Sequence, residues 1–439
     1  MESGNTILRS RLASIAHLMS GSMAVAAMMA LSTVVAARAL GPEAYGILAL
    51  VLTVGRICER LIRFESWQAL IRFGTQTDTE DDPEKLGRLF LLGLMLDFAC
   101  AWFAAALMLV GGYFLLPFIG LDPSHFVLLA IFAPAIAFNI RGVPTAALRM
   151  AGQFRLLAYF GLFSATLRLA LAALAWSLGA ELAVFLAVWT LAQLIDVVVF
   201  AVLAARALNS LGVANPISAG TSGILQQFPE FMRFAWSTNA SSALRTLTQE
   251  ADTLMVGALA GPTSAGFYHI AKRFAKVAQQ IGQHVQAVIY PDLSRMWARK
   301  NFDTVRTVKT KVQLALISIG LAIVFVTWAA GALGVEWLFG DEFSTVYPLL
   351  LTQLIAVTLI LVGAPARSTM LAMNRPGTVL IISAIATLAF FATAYILIPD
   401  AGAIGANYAH IAFSAVTFIA LEITFRSAYG TYERREAPA

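Results

Sequence analysis

Apolar stretches long enough to cross a bilayer follow one another along nearly the whole chain, and this limits its possible folds more than any motif does. Of its 439 residues, 59% are hydrophobic and only 13% charged. A soluble protein of this size has too little interior to hide that much apolar surface. The bilayer must act as solvent, and an all-α polytopic membrane protein is expected. A span takes about 20 mostly apolar residues. Twelve are expected, at 15–37, 43–71, 88–116, 125–147, 156–178, 181–204, 231–259, 264–292, 309–332, 344–364, 377–398 and 402–425. Breakers separate them, among them Gly41-Pro42, Asp122-Pro123, Asn215-Pro216, Gly261-Pro262, Gly340-Asp341 and Pro399-Asp400. The start carrying Arg9 and Arg11 runs into the first span with no small-residue cleavage site before Arg38, so no cleavable signal peptide is expected. Cys58 and Cys100 both lie in apolar stretches and read as packing residues rather than a disulfide or metal pair.

The cations orient these spans. Of the 30 Lys and Arg, 20 fall at the start, after every even-numbered span and at the end, while the opposite loops carry only Arg38. The positive-inside rule then puts both termini in the cytoplasm. The basic tract from Arg295 to Lys311 reads as a cytoplasmic anchor to anionic lipid, and no nucleic-acid partner is expected.

The two halves echo one another. The segment from Leu40, "LGPEAYGILALV", matches "AGPTSAGFYHIA" from Ala260 and sets Gly41 on Gly261; Gly120 likewise falls on Gly340, both at an offset of 220. Met150 falls on Met373 and Gly179 on Gly402, both at 223. Four matches in order, with one small insertion, indicate a duplicated unit. Six spans per half means that both halves enter the membrane from the same side, related by an axis along its normal. The expected organisation is a six-helix lobe over 1–206, a cytoplasmic linker over 207–230 and a second lobe over 231–439, around a central cleft.

Nine cations remain inside spans: Arg56, Arg60, Arg63, Arg141, Arg168, Arg245, Lys272, Arg273 and Lys276. A cation at mid-bilayer costs about 2.5–3.5 kcal/mol even on the lenient insertion scale, which favours a watered cavity or a helix interface over lipid. In the second span Arg56, Arg60, Arg63 and Trp67 share one helical face. In the eighth, Lys272, Lys276, Gln279, Gln283 and Gln286 form another, with His269 and Gln280 at its margin. Arg56 lies 15 residues after Gly41, and Lys276 lies 15 after Gly261. Two such stripes suit an anion, and the planar fork of Arg suits phosphate. The bland alternative is that Arg63, Arg141 and Arg168 snorkel or pair with carboxylates. Asp97, Asp196, Glu250 and Asp252 are candidates for coupling a proton or sodium ion to transport, or for local ion pairing and capping.

The chain has no Gly-x4-Gly-Lys-Ser/Thr phosphate loop and no metal-ligand spacing. No resident cofactor is expected beyond a coupling ion, H+ or Na+. "RALGPEAYGILAL" resembles the entry motif of the oligosaccharide flippase and polysaccharide export (Wzx-like) proteins, in the multidrug/oligosaccharidyl-lipid/polysaccharide exporter superfamily. "TQEADTLMVGALAGPTSAGFYHIAKR" with "IYPDLSRM" resembles their second-half signature, and Asp252, Tyr268 and Pro291 match its positions. The resemblance spans nearly the whole chain. It implies two six-helix bundles, alternating access, and movement of undecaprenyl-diphosphate-linked sugars across the bacterial inner membrane.

The expected function is therefore that of a flippase, not an enzyme. It would move a polyprenyl-diphosphate-linked oligosaccharide to the periplasmic leaflet for O-antigen lipopolysaccharide, capsule or exopolysaccharide assembly. Its partners would be membrane lipids and the polysaccharide polymerase and assembly proteins. A cation-coupled multidrug exporter of the same superfamily is the first alternative, but it calls for an acidic, aromatic cavity. A lipid II flippase is the second, and that group usually carries two further helices. A membrane enzyme joining lipid-linked sugars would need a sizeable outer loop with catalytic acids, which this sequence lacks.

Overall fold

The computed structural model describes residues 4–64, 66–76, 82–213, 215–221 and 223–436, and their side chains except at 4–20, 225, 237–249, 281, 283, 284, 286–288 and 431–436. Among the described residues the secondary structure is helical throughout. In order the helices are α1 (Gly4–Ile62), α2 (Ser66–Gly74), α3 (Pro83–Leu115), α4 (Phe126–Ala137), α5 (Gly142–Met150), α6 (Phe154–Ser177), α7 (Leu182–Ser210), α8 (Ile224–Gln227), α9 (Phe231–Ala298), α10 (Phe302–Phe339), α11 (Val346–Ala372), α12 (Pro376–Ala401) and α13 (Ala403–Glu436). Nine stretches of the described residues are long and apolar enough to cross a membrane, the first holding both arms of α1. The chain is a multi-pass membrane protein.

The expected spans map onto these helices with few shifts. Each of α1 and α9 covers two of the expected spans, joined at an elbow. The elbows are Gly41 (φ 73°, ψ 173°) and Gly261 (φ 83°, ψ 170°), a backbone state that only glycine adopts cheaply, each followed by a proline at the first helical position. The duplication recurs in backbone geometry. Gly120 and Gly340 have φ of 77° and 93°, and Gly179 and Gly402 have 63° and 60°. Every glycine pair aligned by sequence is thus a pair of left-handed turns.

Two expectations need correction. The second span was expected to run helical to residue 71; α1 ends at Ile62, and a separate short helix, α2, begins at Ser66. The fourth span was expected as one helix over 125–147; it breaks after Ala137 and resumes at Gly142. Both breaks are held by one carboxylate. Asp97 of α3 accepts the Ser66 hydroxyl at 2.5 Å and the Val143 backbone N–H at 3.0 Å, so it caps the start of α5 and ties it to the first residue of α2. A Cβ at Gly142 would lie 1.7 Å from Ser66 Oγ and 2.6–2.7 Å from the Asp97 oxygens, so only glycine fits there. Non-helical backbone at membrane depth is tolerated where protein satisfies it in this way.

The chain divides into two compact units, Met1–Leu40 with Ile47–Leu254, and Gly41–Gly46 with Met255–Ala439. In the first, α3 packs on α4, and α4, α5 and α6 pack on α7. The stretch expected as a linker lies on this unit: Val213, Ile224 and Phe228, with Phe231 after it, are buried among Leu70, Phe73, Leu89 and Phe90. Residues 231–254 go with it, Ala235 being buried beside Phe64 and Cys100. In the second unit α13 packs on α11 and α12, and α10 on α11. The turn Gly41–Gly46 belongs here because helix backbones touch: a Cβ on Gly46 would lie 2.0 Å from the Pro262 carbonyl oxygen, and one on Gly266 would lie 2.9 Å from Gly46 Cα. The Tyr45 hydroxyl and His269 Nδ1, both buried, are 2.9 Å apart beside this contact.

Candidate functional site

The first unit carries a polar chain inside its helices. Arg56 of α1 lies 3.4 Å from Glu250 and donates to Thr53 Oγ1 at 2.9 Å, and about a third of its side chain is exposed. One turn on, Glu59 Oε1 accepts from Arg63 Nη1 at 2.6 Å and from Asn139 Nδ2 at 2.7 Å. Asn139 stands in the break between α4 and α5. Its Oδ1 accepts Arg141 Nε at 2.8 Å and Gln193 Nε2 at 3.0 Å. Gln193 in turn accepts from Arg168 Nη2 at 3.1 Å, and Arg168 lies 3.9 Å from Asp196, which also takes the Ser164 hydroxyl. Five helical segments are thereby joined through side chains that water would otherwise have to satisfy.

These contacts revise the expected stripe on the second span. Arg56 and Arg60 lie on α1, Arg60 exposed and Arg56 partly so. Arg63 and Trp67 do not continue that face, because the helix ends between them and Arg60. Arg63 turns back to Glu59, and Trp67 lies under Arg149 of α5, 4.0 Å from guanidinium carbon to ring centroid. Of the four coupling candidates, Glu250 is salt-bridged to Arg56, Asp97 caps α5 and holds Ser66 of α2, and Asp196 lies beside Arg168. Asp252 is fully buried, with Oδ1 accepting the Thr253 backbone N–H at 2.6 Å. The structure brings Arg56 and Glu250 together, and it does not bring Asp97 to any of the other three.

In the second unit the expected stripe lies on the second arm of α9. Lys272, Arg273 and Gln279 are half-buried and Lys276 is exposed, while the side chains of Gln283 and Gln286 lie outside the described residues. Lys272 Nζ stands 5.9 Å from the Tyr268 ring centroid. Lys276 and Arg56 each lie 15 residues past their own elbow, roughly 22 Å along their helices. His269, expected at the margin of the stripe, is buried with Tyr45.

Sequence reasoning missed two groupings. Lys309 was expected in a basic loop, but α10 begins seven residues earlier, at Phe302, and Lys309 is buried against Glu422 at 2.5 Å and over the Phe425 ring. The hub Asn139 was also missed. Its signal was a polar Asn-x-Arg run before Gly142-x-Pro144, inside an otherwise apolar stretch.

Comparison with known proteins supplies what geometry alone does not. The Escherichia coli (strain K12) inner membrane protein YghQ is 25% identical over 319 residues, 72% of this chain and 88% of that protein. Among solved structures, an inward-facing multidrug resistance MATE family transporter of the MOP superfamily superposes with a TM-score of 0.73 at 16% identity, over 94% of this chain and 96% of that one. The lipid II flippase MurJ, in an inward closed conformation, superposes at 0.65 and 14% identity, over 94% and 89%. At such identities these two structures show the shared fold, two pseudo-symmetric helical bundles. The polysaccharide biosynthesis protein family matches residues 35–348, well over half of the chain, and to that family the chain belongs.

Proposed function

We propose that the protein is a flippase for a polyprenyl-diphosphate-linked oligosaccharide, a carrier rather than an enzyme. It would work by alternating access from the cytoplasmic to the periplasmic leaflet of a bacterial inner membrane, with both termini cytoplasmic. The reading rests on one observation above all: a polysaccharide biosynthesis family member of this fold carries cations on both elbowed helices. Arg56 and Arg60 on one side of the duplication, joined by Arg63 only if it leaves Glu59, and Lys272, Arg273 and Lys276 on the other are the groups assigned to the diphosphate. Gln279 and Gln283 are assigned to the sugars, while the polyprenyl tail stays in lipid. A headgroup of two negative charges leaving a negative interior gains roughly 4–5 kcal/mol per 100 mV, at about 2.3 per charge. The return step is assigned to an exchanged H+ or Na+, with Glu250 and Asp252 as its candidate seats. The basic groups argue against a multidrug exporter of cations.

The test is to neutralise Arg56 and Lys276 together as Arg56→Gln/Lys276→Gln. Lipid-linked oligosaccharide is then measured on each leaflet, and polymer at the cell surface. Accumulation on the cytoplasmic leaflet with loss of surface polymer is expected. Unchanged values at normal protein levels would refute the assignment.

A further inference from the structure

Arg141 has no assigned part in the reading above, and its surroundings are those of a prepared receptor. It lies within the apolar stretch Pro123–Met150, at the break between α4 and α5. Its backbone is held on both sides. Its carbonyl accepts from the Thr145 N–H at 3.1 Å and the Thr145 hydroxyl at 2.7 Å, and the next residues are locked by the Asp97 cap and the close fit at Gly142. Its side chain is held at one point, Nε donating to Asn139 Oδ1. Among the described residues no protein acceptor meets the four remaining N–H groups at the end of the fork, and their nitrogens are not sealed from the surface.

This differs from its neighbours. Arg63 and Arg168 both reach carboxylates, at 2.6 and 3.9 Å. The group that fixes Arg141 is a neutral amide, which orients the guanidinium without cancelling its charge. Glu59, Arg63, Asp196 and Arg60 all act on it electrostatically, two carboxylates against two cations, and neither carboxylate is bonded to the fork. The duplication gives no structural reason for a cation here. Aligning Gly142-x-Pro144 with Gly363-x-Pro365 sets Arg141 against Val362, in a helix, α11, that runs unbroken. A planar fork with its outer edge open binds two oxygens of one anion.

We infer that Arg141, oriented by Asn139, is a second anion receptor within the first unit, taking two oxygens of a phosphate or carboxylate on the carried molecule. The inference rests on the flippase reading and deepens it. The anion is either part of the diphosphate or an acidic sugar further along the headgroup. The test uses full-length protein in lipid nanodiscs, titrated with inorganic pyrophosphate and with a galacturonic acid trimer. Wild type is compared with Arg141→Gln and with Asn139→Asp, the latter setting a carboxylate against the fork and so cancelling its charge. At least a tenfold loss of affinity is expected in both variants for one probe. Loss for pyrophosphate identifies the diphosphate as the source, and loss for the trimer identifies an acidic sugar. Wild-type affinity for both probes, within twofold, in both variants overturns the inference while leaving the flippase reading intact. Wild type binding neither probe overturns both. Where Arg141→Gln does not yield a monodisperse protein, Arg141→Lys carries the test: it keeps the charge and loses the fork, so a three- to tenfold loss is expected and unchanged affinity refutes the inference.

Discussion

Asp97 was a candidate for ion coupling from its sequence position, and the structure gives it a scaffolding task, so the two roles can be set against each other. In Asp97→Ala both of these bonds are lost, leaving a buried Val143 N–H and the Ser66 hydroxyl without their acceptor. Hydrogen bonds to a charged group are worth about 1.5–3 kcal/mol each, so the loss is about 3–6 kcal/mol. For a unit of this size that is roughly 6–24 °C in apparent melting temperature, at about 2–4 °C per kcal/mol. Asp97→Asn keeps one acceptor oxygen for Val143 and can donate to Ser66, so it should cost only about 1 kcal/mol. The measurement is thermal stability of the full-length protein in detergent, by tryptophan fluorescence and by retention of a monodisperse peak, alongside transport in cells. The expected pattern is a stable, transporting Asn variant and a strongly destabilised Ala variant. Two variants as stable as wild type but both inactive would sink the scaffolding account and return Asp97 to a coupling role.

Two further outcomes follow from packing. Lys309→Met takes from the partly buried Glu422 its closest partner but leaves it Arg426 at 3.2 Å, and should cost about 1.5–3 kcal/mol, while Lys309→Met/Glu422→Leu should return to within about 1 kcal/mol of wild type; a double variant as weak as the single would show that the pair is not the source. Gly46→Ala places a Cβ 2.0 Å from a backbone carbonyl oxygen that cannot rotate away, and should cost about 1–3 kcal/mol by the same thermal measurement, whereas Gly21→Ala, with open space around it, should cost nothing measurable.

What the sequence shows and what it hides follow from the range of the forces involved. The spans were legible because each is a local property, an apolar run closed by a Gly-Pro or Asp-Pro breaker. The duplication was legible because Gly41, Gly120, Gly179 and their partners must hold left-handed backbone, and few other residues can. The break at Ile62 was not. Residues 63–71 remain apolar and basic enough to continue a helix, and the Ser66 hydroxyl that opens the next one finds its acceptor in Asp97, 31 positions away. The same holds for Glu59, which faces Asn139 from 80 positions away. Periodicity placed Arg56 and Arg60 correctly on one helix, but it carried Arg63 and Trp67 along a face that stops with the helix at Ile62.

The pairing of Glu250 with Arg56 leads to an exchange argument. A guanidinium at membrane depth is held cheaply while a carboxylate neutralises it, and an incoming diphosphate must compete with that carboxylate for the same N–H groups. When the anion wins, Glu250 gives up this salt bridge in a poorly solvated place, a loss that a proton or a sodium ion would offset. Binding of the anion and uptake of the ion are then one event at one salt bridge 3.4 Å long. Glu250→Gln removes the competitor and the charge together. Affinity for pyrophosphate should rise severalfold in this variant. Wild type should take up about one H+ or Na+ for each pyrophosphate bound, and Glu250→Gln none. Proton uptake is read from binding heats in two buffers of different ionisation enthalpy, and sodium uptake from a radioactive tracer. Binding by wild type without uptake of either ion, or an affinity unchanged or lowered in Glu250→Gln, would show that Glu250 only steadies Arg56 and that the coupling seat lies elsewhere.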